Sequence, residues 1–530
     1  MNKALKKNTF IESIISLTIS QIIVKCMGIV YKVYLTNKSG FGDTGNAVFS
    51  GAFQIYAMFL TITSIGIPNA ISKLVSEKTE IADNNGAYRV LKVALFVFGI
   101  IGFICSVIMF LSAKVIANNF LQIPETETSL MILAPAVFFT TIEAVLKGYF
   151  NGKRSIEVTA KSQTIEQMMK ILFTFIIVEI ISYYNKNTEL MVAGATLAST
   201  LSTIYCSFYL YKILEKNKQD IWKELVASRI NKKEKICGII KKILILVVPI
   251  AISGFLSSMT KTIDAFTIVR NLKTVIGDEN ATLQYGILAG KVETIIAMPF
   301  SFNIAISTSL IPNIAGDFIK DRNDSIKKKI EYSYLISFIL GTFFTSVIFI
   351  FSKEILSILF PNAKSGTEML KLAVFSVPIV VLMQTTAGII QGIGKVNKLV
   401  ISSLVGVIVK LIGNIVMLDR FGIYGAIIST ILAQIVSLIM CVKDLKENVK
   451  IKINVKNIII KPLVVICIAS IIMNKIYLKI NFIKSYGFIL PLIIGTTIYS
   501  ILLLYSKTVD IKEIQSLVFK KIDAKNIKKI

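Results

Sequence analysis

The sequence predicts an all-α integral membrane protein of about fourteen transmembrane helices. It reads as two pseudo-symmetric six-helix lobes around a central cavity, with two further helices at the C-terminus. Three observations predict it: apolar blocks of about twenty residues, basic residues concentrated in every second connection, and weak self-similarity between the halves. The chain has 530 residues, 54% of them hydrophobic and only 17% charged, where a soluble domain carries about 25% charge. Blocks such as 94–111, 334–351 and 486–505 match the length that crosses about 30 Å of hydrocarbon. In lipid every backbone group must be satisfied within its own segment, so these runs read as helices. The short alternating runs of a spanning β-barrel are missing.

In chain order, the N-terminal MNKALKK and the apolar run after it carry no small-residue cleavage site, so 11–35 is the first, uncleaved spanning helix. The pattern places the next spans at 47–75, 91–112, 129–150, 157–183 and 190–213. Six more follow at 240–266, 284–315, 332–352, 367–391, 398–418 and 422–443, and the last two at 458–478 and 485–506. The turn Asp419-Arg420-Phe421-Gly422 makes 398–418 and 422–443 an antiparallel pair.

The net charge of +27 could indicate a nucleic-acid partner, but its placement excludes that reading. Lys3, Lys6, Lys7, Lys153, Arg154, the run from Lys212 to Lys242, Lys320, Arg322, Lys327–Lys329, Lys395, Lys398, Lys443 to Lys456 and the C-terminal tail fall on one side of the membrane. The alternate connections are poor in basic residues, with Lys38, Lys114, Lys186, Arg270 and Lys273 among the few. This bias puts both termini in the cytoplasm and makes the helix count even. Histidine is absent and the six cysteines show no paired or CxxC spacing. The commonest catalytic base, metal ligand and disulfide framework are therefore lacking. Gln391-Gly392-Ile393-Gly394-Lys395 lacks the full spacing of a phosphate-binding loop and sits between two spans. The expectation is a transport protein, not an enzyme, with no cofactor and no metal, acting as a monomer in the cell membrane.

Two halves emerge on comparison. Gly152-Lys153 through Lys170-Ile171-Leu172 is similar to Gly392 through Lys410-Leu411-Ile412, and Val192-Ala193-Gly194-Ala195 to Ile423-Tyr424-Gly425-Ala426. Ser64 to Asn69 is similar to Ser309 to Asn313. The repeat gives an N-terminal lobe at 1–235 including a basic linker, a C-terminal lobe at 236–450, and 451–530 with the last two helices and a basic tail. Pro68 and Pro312 hold equivalent positions and are expected to kink their helices; Pro249, Pro299 and Pro378 also lie within or near spans.

Charges inside the spans locate the candidate site, since each costs roughly 2.5–3.5 kcal/mol on insertion scales and by default faces a cavity or a partner. Gln21, Lys25, Gly28 and Lys32 share one face of the first helix. The fifth holds Lys161, Glu166 and Lys170, with Glu166 spaced to pair with Lys170. Lys261 and Asp264 lie on the seventh, Lys291 and Glu293 on the eighth, and Lys410, the repeat partner of Lys170, on the eleventh. Lysines outnumber carboxylates, so the expected cavity is cationic and suits a phosphate or pyrophosphate. Lys25, Lys32, Lys170, Lys261, Lys291 and Lys410 are the candidate substrate ligands. Glu166, Asp264 and Glu293 would hold the lysines or couple transport to Na+ or H+.

Gly51-Ala52-Phe53-Gln54-Ile55-Tyr56, the run Gly66 to Glu77, Lys147-Gly148-Tyr149-Phe150-Asn151-Gly152, Ser162 to Gln167 and Ser307 to Pro312 carry a resemblance. They resemble the stage V sporulation protein B family of polysaccharide transporters, in the multidrug/oligosaccharidyl-lipid/polysaccharide exporter superfamily. The resemblance implies fourteen helices around a V-shaped cavity and movement of a lipid-linked saccharide, such as the peptidoglycan precursor lipid II, between leaflets. It also implies a basic cavity residue at Lys25, and it sets Tyr31-Lys32 where related flippases carry an Arg-Asp pair. A cation-coupled multidrug exporter of the same superfamily is the alternative.

Overall fold

The computed structural model describes residues 10–185, 187–226, 234–319, 323–363, 365–449, 456–480 and 487–506. Lys3, Lys6, Lys7, Lys186, Lys320, Arg322 and the C-terminal tail lie outside the described residues, as do the side chains of Gln21 and Pro312. Among the described residues all regular structure is helical.

The first expected span is α1 (Phe10–Asn37). The second is divided into α2 (Gly42–Thr63) and α3 (Ile67–Glu80). The next four are α4 (Asn84–Val115), α5 (Thr126–Gly152), α6 (Ile156–Tyr184) and α7 (Thr188–Lys216). A short α8 (Lys218–Val226) follows within the basic linker, where the sequence pattern gave no helix. Its Glu224 accepts from Lys153 at 2.7 Å, which anchors nine residues too short to be stable alone.

The chain then enters the 41-residue α9 (Ile236–Ile276). After α10 (Asp278–Gly286) a π-helical turn over Ile287–Val292 leads into α11 (Glu293–Ile319). Beyond α12 (Asn323–Ile350) lies a second unexpected short helix, α13 (Ser352–Leu359). α14 (Thr367–Ala373) and α15 (Ser376–Gly392) together fill the span expected at 367–391. α16 (Val396–Phe421) and α17 (Ile423–Val449) are separated by Gly422, whose φ of +58° suits glycine at a tight reversal. α18 (Lys461–Ile480) and α19 (Ile489–Tyr505) complete the order.

Eleven of these helical stretches are long and apolar enough to cross a membrane. α1, α6 and the 17-residue α19 stand where the other three spans are expected. Large apolar side chains on α4 face outward, with Phe96, Phe103 and Leu111 exposed by 60% or more. A surface of that kind is matched to hydrocarbon and not to water. α7 behaves oppositely. Its Ala193, Gly194, Ala195, Ala198, Ser199 and Ser202 are buried, and such small residues let helices approach closely where the hydrophobic effect cannot drive them together.

The described chain forms two compact units. One comprises the residues up to Ala297 with Leu359–Met369 and Asn397–Ser437. In it α5 packs against α3, α4 and α7, while α6 lies between α1 and α7. Its buried core includes Ile67, Ile71, Leu91, Phe98, Leu146, Phe150, Leu210 and Val247. The other comprises Met298–Ile358, Leu370–Val396 and the described residues from Leu438 onward. There α12 packs on α15 and α18. A buried polar network ties its helices: Asn303 Nδ2 donates to the Val381 carbonyl at 2.9 Å, Ser337 Oγ donates to Asn303 Oδ1 at 2.8 Å, and Tyr334 and Thr386 share a hydrogen bond of 2.8 Å.

Pro68, where the sequence reading expected a kink, lies directly after the division of the second span. It occupies the first turn of α3, after the break at Ser64–Gly66, where a missing N–H leaves nothing unpaired. The backbone of α11 continues through position 312 without a break.

Candidate functional site

The site lies within the first unit and is built from α1, α2 and α6. Phe49 and Phe53 are one turn apart on α2 and stack at 4.3 Å. Tyr31 of α1 joins them, 6.0 Å from the Phe49 ring. Over this shelf sit two ammonium groups. Lys170 Nζ of α6 is 4.5 Å from the Phe53 ring centre, 4.7 Å from Tyr31 and 5.9 Å from Phe49. Lys32 Nζ of α1 is 4.8 Å from Phe49 and 3.4 Å from Ser50 Oγ. Among the described residues neither lysine has a carboxylate partner. Ring faces attract a cation by about 0.5–2 kcal/mol without cancelling its charge. The two lysines are therefore held in place with no ion-pair partner among the described residues.

Other expected residues gather around this pair. Lys32 is within Coulombic range of Lys170, Lys261 and Glu293. Lys261, half exposed, donates to Glu293 Oε2 at 2.8 Å. α1 is seated against α6 by Ser20, whose hydroxyl donates to the Ala160 carbonyl at 2.8 Å. Farther along the same pair, Tyr34 and Lys38 both donate to Glu179, at 2.7 and 2.5 Å. Gly28 faces Gln167 of α6, and Lys25 is exposed on α1 two turns before Lys32.

Two of the expected ligands belong elsewhere. Lys291 is fully buried, and its Nζ is 2.8 Å from Asp43 Oδ1 while donating to the Ala363 carbonyl at 2.8 Å and Ser365 Oγ at 2.7 Å. Lys410 is fully buried as well, 2.6 Å from Asp264 Oδ1, 2.8 Å from the Ala426 carbonyl and 2.5 Å from Thr430 Oγ1. Asn414 Nδ2 also donates to Asp264 Oδ1, at 2.8 Å. An ammonium has three N–H groups, and in each lysine all three have protein partners. Neither faces an open cavity. They brace helices: the sequence reading offered Asp264 as a residue that would hold a lysine, but it had no view of Asp43 or of the Ala426 carbonyl and Thr430 hydroxyl around Lys410.

Glu166 also departs from expectation. Its ion-pair partner is Lys147 of α5, at 3.5 Å, and Lys170 turns to the rings instead. Helical spacing allows an i,i+4 pair but cannot see a competing partner on the next helix. The local backbone around Lys291 is equally specific. A Cβ on Gly286 would lie 1.9 Å from the Asp43 carbonyl oxygen, and one on Gly290 would lie 2.4 Å from Asn46 Cγ. Glycine at both positions lets α2 approach this segment and brings Asp43 to the lysine.

Sequence reasoning overlooked the aromatic shelf, although Tyr31 beside Lys32 and Phe49 with Phe53 at helical spacing were readable. It overlooked Asp43 as a partner, since that residue lies outside the expected spans, whereas the structure places it in the first turn of α2. It also passed over Glu143 and Lys147, charges inside the fourth span that the same default would have selected. An oxygen of each of Glu143 and Glu166 and the Cys206 sulfur lie within 4.8 Å of one another, with Lys147 already among them.

The profile of a family described as polysaccharide biosynthesis protein matches residues 10–316, more than half of the chain. The chain belongs to that family. A second profile, MatE, matches residues 285–416. Stage V sporulation protein B of Bacillus subtilis (strain 168) is 23% identical over 466 residues, covering 87% of this chain and 88% of that protein. The lipid II flippase MurJ of the same organism is 25% identical over 468 residues, covering 83% and 82%. Among solved structures, a lipid II flippase MurJ in an inward closed conformation is similar with a TM-score of 0.68 at 15% identity, covering 96% of this chain and 99% of that one. An inward-facing multidrug resistance MATE family transporter of the MOP superfamily is similar with a TM-score of 0.63, covering 83% and 98%. The family's fold is thus a multi-pass helical membrane protein of the same architecture as these transporters.

Proposed function

We propose that this member of the polysaccharide biosynthesis protein family is a flippase for a lipid-linked oligosaccharide, a peptidoglycan precursor such as lipid II or a related polysaccharide precursor. The observation that carries the reading is the pair Lys32 and Lys170, two membrane-buried cations over an aromatic shelf with no described carboxylate to neutralise them. A diphosphate headgroup supplies the missing negative charge, and the planar rings offer an apolar face to a sugar. Lys261, shared with Glu293, and the exposed Lys25 complete the proposed ligand set. Lys291 with Asp43 and Lys410 with Asp264 keep the helices in register around it. Similarity to proteins named for sporulation and for lipid II flipping supports the substrate class.

In the same proposal all fourteen spans cross the membrane, both termini are cytoplasmic, and two six-helix lobes, at 1–235 and 236–450, alternate access to the two leaflets. The membrane potential assists, at about 2.3 kcal/mol per charge per 100 mV. A second reading, a cation-coupled multidrug exporter, draws on the MatE match at 285–416. Deleting the gene separates them. Lipid-linked saccharide should accumulate in extracts of the deletion strain and disappear on complementation, but persist with a Lys32→Gln/Lys170→Gln variant. No accumulation, together with drug resistance on overexpression, would favour the exporter.

A further inference from the structure

A second polar cluster lies in the first unit, and nothing proposed above uses it. At its centre is Glu143 of α5, whose side chain is 1% exposed. Lys147, one turn along the same helix, donates to Glu143 Oε2 at 2.7 Å and lies 3.5 Å from Glu166 Oε2 of α6. An oxygen of Glu143, an oxygen of Glu166 and the Cys206 sulfur of α7 lie within 4.8 Å of one another. Glu143 Oε1 is buried and has no hydrogen-bond partner.

The charges around this group do not balance. In ion-pair contact two carboxylates meet one ammonium, which leaves one negative charge over within the cluster. The other titratable groups facing Glu143 are neutral: Tyr56 of α2, whose hydroxyl is bonded to Thr140 at 3.0 Å, and Cys206, whose thiol donates to the Ser162 carbonyl at 3.4 Å. α3 and α4 bring apolar side chains to α5, among them Ile71, Leu91 and Phe98. Lys170, one turn from Glu166 along α6, attracts Glu166 without forming an ion pair and lies against the rings of the shelf, so Glu143 gains no second counter-charge from it. An unpaired charge is expensive in such surroundings, and a buried carboxylate responds by taking up a proton. A second cation is a poor occupant, because the Lys147 ammonium already fills the gap between the carboxylates. A proton on Oε1 instead turns the one unpartnered atom into a donor, with Glu166 and Cys206 as near acceptors.

We infer that Glu143 holds a proton on its unpartnered oxygen, so that this cluster is a proton-binding site inside the membrane. Glu166, 30% exposed, is the route by which the proton exchanges with water. The inference stands apart from the identity of the transported molecule, because it concerns only the charge of this cluster.

Infrared spectroscopy on the full-length protein in lipid nanodiscs tests it. At neutral pH a carboxylic acid C=O band should be present and should fade on alkaline titration. Glu143→Gln and Glu166→Gln should each abolish it, since removing either carboxylate leaves the other balanced by Lys147. Lys147→Met should make the band persist to higher pH, and Glu179→Gln should leave it unchanged. Using two separate glutamine variants keeps the test valid if one of them fails to fold. No carboxylic acid band at neutral pH, or a band that survives either substitution in a folded variant, would overturn the inference. So would a band that vanishes when sodium replaces potassium at constant pH, because the occupant would then be a metal cation.

Discussion

Replacing Lys410 with methionine keeps most of the apolar stem of the side chain and removes its ammonium. In the folded protein that ammonium is fully buried and bonded to Asp264, the Ala426 carbonyl and Thr430. Its loss strands the Asp264 carboxylate with the Asn414 amide as its remaining described partner. Breaking one side of a buried pair costs about 3–5 kcal/mol, while replacing both sides by apolar groups is often close to neutral. Lys410→Met and Asp264→Leu should therefore each destabilise by about 3–5 kcal/mol, and the double variant should return to within about 1–2 kcal/mol of wild type. The coupling energy is read from a double-mutant cycle by titrating the folded protein in mixed micelles with SDS and following far-UV circular dichroism. The reasoning fails if either single variant costs less than about 1 kcal/mol, or if the double variant is as unstable as the sum of the two. Either result would mean that Lys410 is free to serve the cavity after all.

Other parts of the structure yield further expectations. Lys170→Gln should slow substrate translocation by about tenfold or more, the effect of about 1.4 kcal/mol, and Lys170→Arg should restore part of it because a guanidinium also stacks on rings. Phe53→Leu removes a ring but no charge, so its effect in the same translocation assay should be smaller. Gly286→Ala should destabilise by about 1–3 kcal/mol in the SDS titration, because the added carbon would overlap the Asp43 carbonyl. Trp222, the single tryptophan of the chain, is exposed on α8. In right-side-out vesicles its fluorescence should resist a water-soluble quencher until the membrane is permeabilised; immediate quenching would place α8 outside the cell.

Much of the fold was legible because a bilayer imposes one length and one backbone solution. Apolar runs therefore marked the helices, including those now divided as α2 with α3 and α14 with α15. The short α8 and α13 were not legible, since nine or eight residues leave almost no periodic signal and depend on contacts such as Lys153 with Glu224. Charges within the spans marked the right neighbourhood but not the roles. Lys170 and Lys410 look alike in sequence, where the comparison of the halves matches them, yet one meets three rings and the other a carboxylate and two further oxygens. Only the neighbouring helices decide between those surroundings, and Glu166 shows the same limit, with Lys147 reaching it from α5.

The central claim is that unneutralised lysines on an aromatic shelf carry an anionic lipid headgroup between leaflets. Purified protein in proteoliposomes containing a fluorescent lipid-linked saccharide, with a membrane-impermeant reagent reporting the outer leaflet, tests it most directly. Wild-type protein should bring the inner-leaflet lipid into reach, and Lys32→Gln/Lys170→Gln should not, although it remains folded. Equal translocation by that variant, or none by wild type above empty liposomes, would contradict the account.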